Sequence, residues 1–489
     1  MKRLSGVAAL AIVLVRPAFA QPLGGFNERI TTNNYNVDLT QGPVLGSVRV
    51  MGLAGAYVAI AEGVEGNAWN PAAPAVRAPW SFDHFDYDLG FGLTFPSSLS
   101  NSDFFNTGRR TDLLSGSQSD FVFLDVAANL QFGPWGLGGN IGLQQYGLDR
   151  SEEPAALQRE HLLAQIAIAH VIVAHAFADH QLNIGVGTRS NRLTVVDEVS
   201  GNGLFETTGA GFEVGVLWRP NELPLRVGAA FRSEVTTDAV LVSDTRVLYP
   251  GSGDELYLPE EISLPWEVSA GVALQLGPRP FNPRWVDPDE LLARLERYLE
   301  WRQRQRERRR STALARTQAA GGDVQAAADA LDAELEIEAA LDEAHLQRAG
   351  KRVSAMLRQR YEKMSRFYVL ISSEMLMTGA IEEGVGIESF LHRLVNRSGQ
   401  SVTLSPRLGM ESEVVPHWVK LRAGSYFEPT RFRSNPEAWR THATLGFDAK
   451  LFGWSVFGLF DEHTEWRVSG ALDVAERYLG WSLSAGVWH

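Results

Sequence analysis

Cysteine is absent from all 489 residues. That excludes disulfides, thiolate catalysis, a cysteine-ligated zinc and a lipid-modified cysteine anchor together. Positive charge is in short supply: 45 Lys and Arg stand against 58 Asp and Glu, a formal net charge of −13. A basic footprint for phosphates is therefore missing, and nucleic acid is not an expected partner. Long apolar runs are scarce as well. Beyond the first twenty residues the longest is Ala164–Ala178, which His170 and His175 interrupt. It falls short of the roughly 20 residues a membrane-spanning helix needs. The chain also lacks a G-x-S-x-G elbow, an H-E-x-x-H pair and a glycine-rich phosphate loop, so neither an enzyme nor a cofactor is expected.

At the start, Lys2 and Arg3 precede the apolar run Leu4–Val15, and Ala18-Phe19-Ala20 is an A-x-A cleavage site. This is the layout of a secretory signal over residues 1–20, with a mature chain beginning near Gln21. An exported chain without cysteine or apolar helices can still cross a membrane as a closed barrel, since only helices and barrels satisfy every backbone group in lipid.

Period-two alternation supports that architecture. Phe85, Tyr87, Leu89, Phe91, Leu93 and Phe95 share one face, opposite His84, Asp86, Asp88, Gly90, Gly92 and Thr94. Similar runs are expected at Val122–Phe132, Trp135–Gln144, His161–Phe177, Gln181–Leu193, Phe212–Trp218, Leu225–Glu234 and Trp266–Leu274. After an interruption they resume at Phe367–Ile381, Thr403–Val414, Trp418–Glu428, His442–Leu451, Trp454–Asp461 and Tyr478–His489. The total is about fourteen antiparallel strands, an even number as bacterial barrels require. Short connections such as Arg219–Pro224 and Val415–His417 should lie on the periplasmic side. Long ones such as Phe95–Asp120, Thr236–Leu264 and Glu382–Val402 should be extracellular.

One connection breaks the rule. Residues 278–366 turn rich in Ala, Arg, Glu and Leu with a helical period. Asp287-Pro288-Asp289-Glu290 is a helix start, with Asp as N-cap and Pro at the first position. Six arginines fall between Arg302 and Arg310, and Gly321-Gly322-Asp323 ends one helix and caps the next. The expectation is a helical periplasmic insertion, and its segment 283–366 is a candidate surface for a periplasmic protein partner.

The stretch Val48–Ala73 reads VRVMGLAGAYVAIAEGVEGNAWNPAA. It resembles the N-terminal signature of the outer-membrane hydrophobic-compound transporters, the long-chain fatty-acid transporter (FadL/TodX-like) family. The runs GAGFEVGVLWRP, LPLRVGAAFRSEV and LPEEISLPWEVSAGVALQL are similar to the same family's middle hairpins. The resemblance implies an all-β transmembrane barrel of about fourteen strands in the outer membrane, plugged by residues 21–78. The wall would comprise residues 79–277 and 367–489. Met51, Gly52, Gly55, Ala56, Trp69, Asn70 and Pro71 would mark the plug, whether it moves or stays in place. The implied function is diffusion of fatty-acid-like or aromatic molecules, with outer-membrane lipid and the hydrophobic ligand as partners. In that family the third strand kinks inward and leaves a lateral opening. By strand order this points to Gly136, Gly138 and Gly139, whose plainer reading is small residues facing a bulky plug. The helical insertion is not usual there, and it favours a second reading, a barrel scaffold for secretion or surface assembly. The family also tends to end in an aromatic residue, where this chain has Trp488 and then His489.

Arg226, Arg232, Arg407, Lys420 and Arg422 are candidates for a ligand headgroup, although pairing with Glu213, Glu267, Glu411, Glu428 and Asp448 would equally satisfy buried charge. No metal is expected. His84, Asp86 and Asp88 share a strand face, but successive same-face residues lie about 6.6 Å apart.

Overall fold

The computed structural model describes residues 23–96, 103–108, 122–150, 160–197, 202–238, 246–248, 255–435, 439–453 and 465–487. Residues 1–20, expected to be a secretory signal, and the last two residues lie outside that set. Fourteen strands close into one antiparallel barrel in simple sequence order. They are β1 (Phe85–Phe95), β2 (Val122–Phe132), β3 (Trp135–Arg150), β4 (Glu160–Phe177), β5 (Leu182–Asp197), β6 (Asn202–Trp218), β7 (Leu225–Arg232) and β8 (Glu267–Leu276). After the helical insertion come β9 (Val369–Thr378), β10 (Thr403–Val415), β11 (Val419–Pro429), β12 (Trp439–Gly453), β13 (Glu465–Ala475) and β14 (Tyr478–Val487). Alternation builds the wall: Phe85, Tyr87, Leu89 and Phe91 stand exposed on the outside while Thr94, Asn129 and Gln131 are buried within. No helix among the described residues is long and apolar enough to cross a membrane.

The count agrees with the sequence expectation, but one strand does not. The thirteenth is Glu465–Ala475, whereas Trp454–Asp461 lies outside the described residues. Three more connections depart from the loop-length rule, one being the four residues 198–201 between β5 and β6 at the long-loop end. The link between β12 and β13 spans eleven residues at the end where other turns are short, and only Glu476 and Arg477 join β13 to β14 at the opposite end.

The short-turn end uses residues that tolerate left-handed backbone, such as Gly133 (φ 51°), Asp179 (φ 56°), His180 (φ 62°) and His417 (φ 66°). At the other end the loops fold inward. Gly384–Gly386, Asn36–Asp38, Glu261–Leu264 and Val235–Asp238 form a small sheet over the lumen. Beneath it Tyr35, Val37, Leu39, Val385 and Phe390 share a core with wall residues Ile166, Leu193 and Phe205. The N-terminal segment thus begins in this crown, threads the barrel and leaves at the short-turn end into β1.

Four helices are described. α1 (Val48–Gly52) lies inside the barrel, α2 (Pro288–Ala319) and α3 (Val324–Glu362) form the insertion, and α4 (Ile387–His392) belongs to the crown. Asp287 caps α2 through the Asp289 N–H with Pro288 at the first position, as the sequence indicated. Asp323 caps α3 by accepting from Gln325 and Ala326. The two helices, about 48 and 58 Å long at 1.5 Å per residue, are laced by ion pairs. Arg302 and Arg306 both reach Asp342, Arg309 meets Glu338, and Arg310 meets Asp332. The base of the hairpin is held by Arg284–Asp179 at 3.0 Å and by the Trp285 indole, which donates to the Ser81 carbonyl at 3.1 Å.

Candidate functional site

The signature residues run inside the barrel, a segment called the plug below for its position alone. Ser47 caps α1 by accepting from the Val50 N–H. Gly52 then passes so close to the wall that a Cβ on it would lie 3.1 Å from the Gly446 Cα. The Thr444 hydroxyl donates to the Gly52 carbonyl at 3.2 Å. Gly55 turns the chain with φ +69°, a conformation L side chains seldom adopt. Met51 and Ala56 are fully buried. Asn70 is a tie in both directions: its amide donates to the carbonyls of Val58 (2.9 Å) and Val216 (3.1 Å), and its side-chain oxygen accepts from the Ala72 N–H (3.0 Å). Pro71 lies against the wall where a Cβ on Gly185 would be 1.8 Å from the Pro71 carbonyl oxygen.

The wall answers with glycine wherever plug backbone comes close. A Cβ on Gly136 would sit 2.2 Å from Pro74 backbone, and one on Gly228 would sit 2.2 Å from the Val58 carbonyl oxygen. Gly138 faces Pro74 and Asn67, and Gly139 accepts from the Asn67 amide at 3.0 Å through its carbonyl. β3 runs through these three residues paired without a register shift to β2 and to β4. The kink and lateral opening expected there are not what the structure places at these glycines. They make room for the plug.

Charge follows the same division. Arg226 donates to the Asn282 side chain (2.8 Å), the Phe281 carbonyl (2.9 Å) and Glu62 of the plug (3.0 Å). Arg232 donates to the carbonyls of Ala68 (2.6 Å) and Trp69 (2.7 Å). Arg407 lies over the Trp69 ring at 5.4 Å, 3.6 Å from Glu374. These three cations hold the plug. Of the five candidates, Lys420 and Arg422 line the cavity described below.

Several key groups carried no sequence signal. Glu374 accepts from the Tyr57 and Val58 N–H groups at 2.9 and 2.8 Å, fixing the centre of the plug. Arg49, inside the signature itself, reaches Glu411 (2.9 Å) and Glu62 (3.1 Å). From Glu411 the chain of charges passes to Arg422 (2.6 Å), Asp448 (2.6 Å), Arg467 (3.3 Å) and back to Glu65 of the plug (3.1 Å). Higher in the lumen His442 lies between Asp473 (2.8 Å) and Glu428 (2.7 Å). Arg49 with Glu411, Tyr57 with Glu374 and Glu65 with Arg467 lie 362, 317 and 402 positions apart, so spacing could not reveal them.

Between the plug, β1, β2, β14 and the return of α3 lies a cavity of about 900 Å³. Trp80, Phe82, Tyr361 and Tyr368 give it aromatic walls, while Arg279 and Arg366 join Lys420 as cations. Tyr361 meets the rings of Trp80 and Phe82 at 6.2 and 6.1 Å, and Arg366 stacks over it at 4.5 Å. Burial pushes the Tyr361 phenol up, with Arg366 pulling the other way. The cavity is thus both aromatic and charged, a lining suited to a molecule with apolar and polar parts.

His84 does not share a face-to-face cluster with Asp86 and Asp88. Its Nδ1 instead meets Asp287 (3.1 Å) and Asp289 (3.4 Å) at the start of α2, where the ion pair and the helix cap account for the arrangement. Nearby, burial and the charges of Arg219 and Arg77 push the His180 imidazole down to about 4.

No family model and no curated protein matches the chain. Among solved structures it is similar to a channel described as the CymD monoaromatic hydrocarbon channel, at 10% identity and TM-score 0.45, covering 92% of this chain and 97% of that one. It is also similar to a Pseudomonas aeruginosa FadL homologue (10%, TM-score 0.46, 92% and 99%). A third is the P. putida toluene transporter TodX (9%, TM-score 0.45, 92% and 100%).

Proposed function

We propose that this chain is an outer-membrane channel for diffusion of hydrophobic or amphipathic small molecules, fatty-acid-like or aromatic, through a plugged barrel. The observation that supports the reading best is the cavity of about 900 Å³ between plug and wall, lined by aromatic rings and by charged side chains of both signs. The outer face of the wall, with Phe85, Leu89, Phe91, Leu445 and Leu483 exposed, suits a lipid surround and not water. No reaction chemistry is needed, because diffusion down a gradient uses shape and solvation alone. The test is uptake of radiolabelled oleate and of toluene by cells lacking the gene, with and without a plasmid copy. Equal uptake in both would overturn the reading for those ligands.

A second reading rests on the hairpin. α2 and α3 leave Tyr298, Trp301, Ile337 and Leu341 exposed, at 51–65% of their full area, and a channel does not require such a surface. A scaffold that binds a periplasmic protein does. Photo-crosslinking from Ile337 in the full-length protein in cells would yield one discrete adduct on that reading and none otherwise.

A further inference from the structure

Acidic side chains around the cavity fall into two sets. In the first, each carboxylate has its cation: Glu62 meets Arg49 and Arg226, Glu65 meets Arg467, and Glu411 meets Arg49 and Arg422. The second set lies on one stretch of wall, where Asp86 and Asp88 of β1 and Asp125 of β2 line the cavity half-buried. Asp86 accepts from the Tyr87 N–H at 2.9 Å, Asp88 from the Val64 N–H at 3.2 Å and Asp125 from the Asn140 amide at 2.5 Å. Those donors are neutral, and among the described residues no ion pair reaches any of the three.

Asn129 sets the same wall apart a second time. It is 1% exposed, borders the cavity and lies directly across from Asp88 in the β1–β2 register. Neither its side-chain nitrogen nor its oxygen has a hydrogen-bond partner, an uncommon state for a buried amide. Three unmatched carboxylates and one orphaned amide therefore border a common space.

A charge without a partner in such a place is costly, so this wall calls for positive charge from outside the chain. A metal ion does not fit. Among the described residues the side chains gathered within reach of one ion are His84, Asp287 and Asp289, and none of these three carboxylates joins them. Asp125 pairs with Gly92, so the acidic row spreads along β1 from position 86 to position 92, roughly 20 Å at about 3.3 Å per residue. An extended organic cation suits that spread. Trp80 and Phe82, which lead into β1, bring rings to the same cavity, and aromatic faces accept both apolar and ammonium groups. Cations elsewhere in the lining are engaged in other ways. Arg279 follows β8 and Arg366 precedes β9, about half a turn round the wall. Arg279 pairs with Glu413 at 3.3 Å, and Arg366 donates to the Tyr361 hydroxyl at 2.8 Å.

We propose that the cavity takes an amphipathic amine, with its ammonium held at Asp88 beside Asn129 and its apolar body against Trp80 and Phe82. Asp86 and Asp125 flank that position and add to its negative field. This amine site rests on the channel reading of the same cavity, and it reverses the sign of the headgroup that Lys420 and Arg422 suggest in the sequence.

Three probes of equal chain length test it: octylamine, octanol and octanoate, bound to the full-length protein in phosphatidylcholine nanodiscs and corrected for empty discs. Octylamine should bind about tenfold tighter than octanol, the size of one hydrogen bond to a charged group, and octanoate no tighter than octanol. Asp86→Asn, Asp88→Asn and Asp125→Asn combined should erase the preference for the amine. Octylamine no tighter than octanol would mean that the carboxylates are merely hydrated, and would overturn the site. Octanoate binding tightest, or a preference that survives the triple substitution, would overturn it equally. A second measurement needs no variant: an octylamine with a terminal diazirine is photolysed on the unaltered protein. Adducts on Trp80 and Phe82 are expected, and adducts confined to the outward-facing Val126 and Ile141 would overturn the site. Failure of oleate and toluene uptake in cells would overturn the channel, and the three affinities would still decide the charge.

Discussion

Arg422 and Arg310 make almost the same contact in two unlike regions. Arg422 meets Asp448 at 2.6 and 2.7 Å inside the barrel, and Arg310 meets Asp332 at 2.6 and 2.7 Å on the hairpin. The first pair has side chains 1% and 2% exposed, the second 46% and 45%. Distance alone therefore says little about worth. In the lumen, each partner has lost its water and depends on the other. On the hairpin, water and salt compete for both, and the pair orders a surface without securing it. Plug and wall are held by charge that cannot be released singly, whereas the hairpin is laced by charge that can.

The comparison can be broken at its strongest point first. Asp448→Ala leaves Arg422 and Arg467 facing each other without their shared carboxylate. A loss of about 3–5 kcal/mol is expected, read as a lower midpoint for urea unfolding of the barrel in detergent. An unchanged midpoint would mean the network is solvated. Next in size is the fit between wall and plug: Gly228→Val puts side-chain atoms on the Val58 carbonyl and should cost about 1–3 kcal/mol. The plug would be pushed from its seat, and single-channel conductance in planar bilayers should rise.

On the hairpin, Asp342 is the sharpening case, because it alone is buried between two arginines, Arg302 and Arg306. Asp342→Ala should lower hairpin stability by about 1 kcal/mol, seen as faster amide exchange in α2 and α3 with the barrel unaffected. At the junction of the two regions, His180 supplies the pH dependence. Its pKa is lowered from an ordinary 6.5 to about 4, so the folded junction binds fewer protons than the released one between those values. Stability there is complete above pH 6.5 and falls as pH drops toward 4. Exchange at residues 178–182, corrected for the intrinsic rate, should show that trend, and His180→Asn should remove it. Smallest of all, Asp332→Ala should leave the thermal melt of the protein unchanged, and a measurable drop would show that the exposed lacing matters.

The wall was legible because a barrel strand writes its two faces into a period of two, and Phe85 to Phe95 does so without interruption. The strand Glu465–Ala475 was not among the expected runs, and the expected run Trp454–Asp461 lies outside the described residues. Alternation was there to be read: β13 sets Trp466, Val468, Gly470, Leu472 and Val474 against Arg467, Ser469, Ala471, Asp473 and Ala475. Missing β13 also hid Arg467 and Asp473. The helix caps at Asp287 and Asp323 were legible since they depend on neighbours two or three residues away. The plug contacts were not: Arg49 with Glu411 and Glu374 with Tyr57 are brought together by closure of the whole sheet. For Arg226, Arg232 and Arg407 the sequence shows no partners; the fold supplies Glu62, the carbonyls of Ala68 and Trp69, and Glu374.

Threading has a consequence for order in time. The segment that crosses the lumen precedes the first strand, and the glycines at positions 136, 185 and 228 leave no clearance for it to slide past the finished wall. The cylinder must therefore be rolled around its own leading segment. The join between first and last strands comes at the end of that process, and among the described residues it is also the join with the fewest paired positions, four. The place where the wall was last to shut is then the place where least work reopens it.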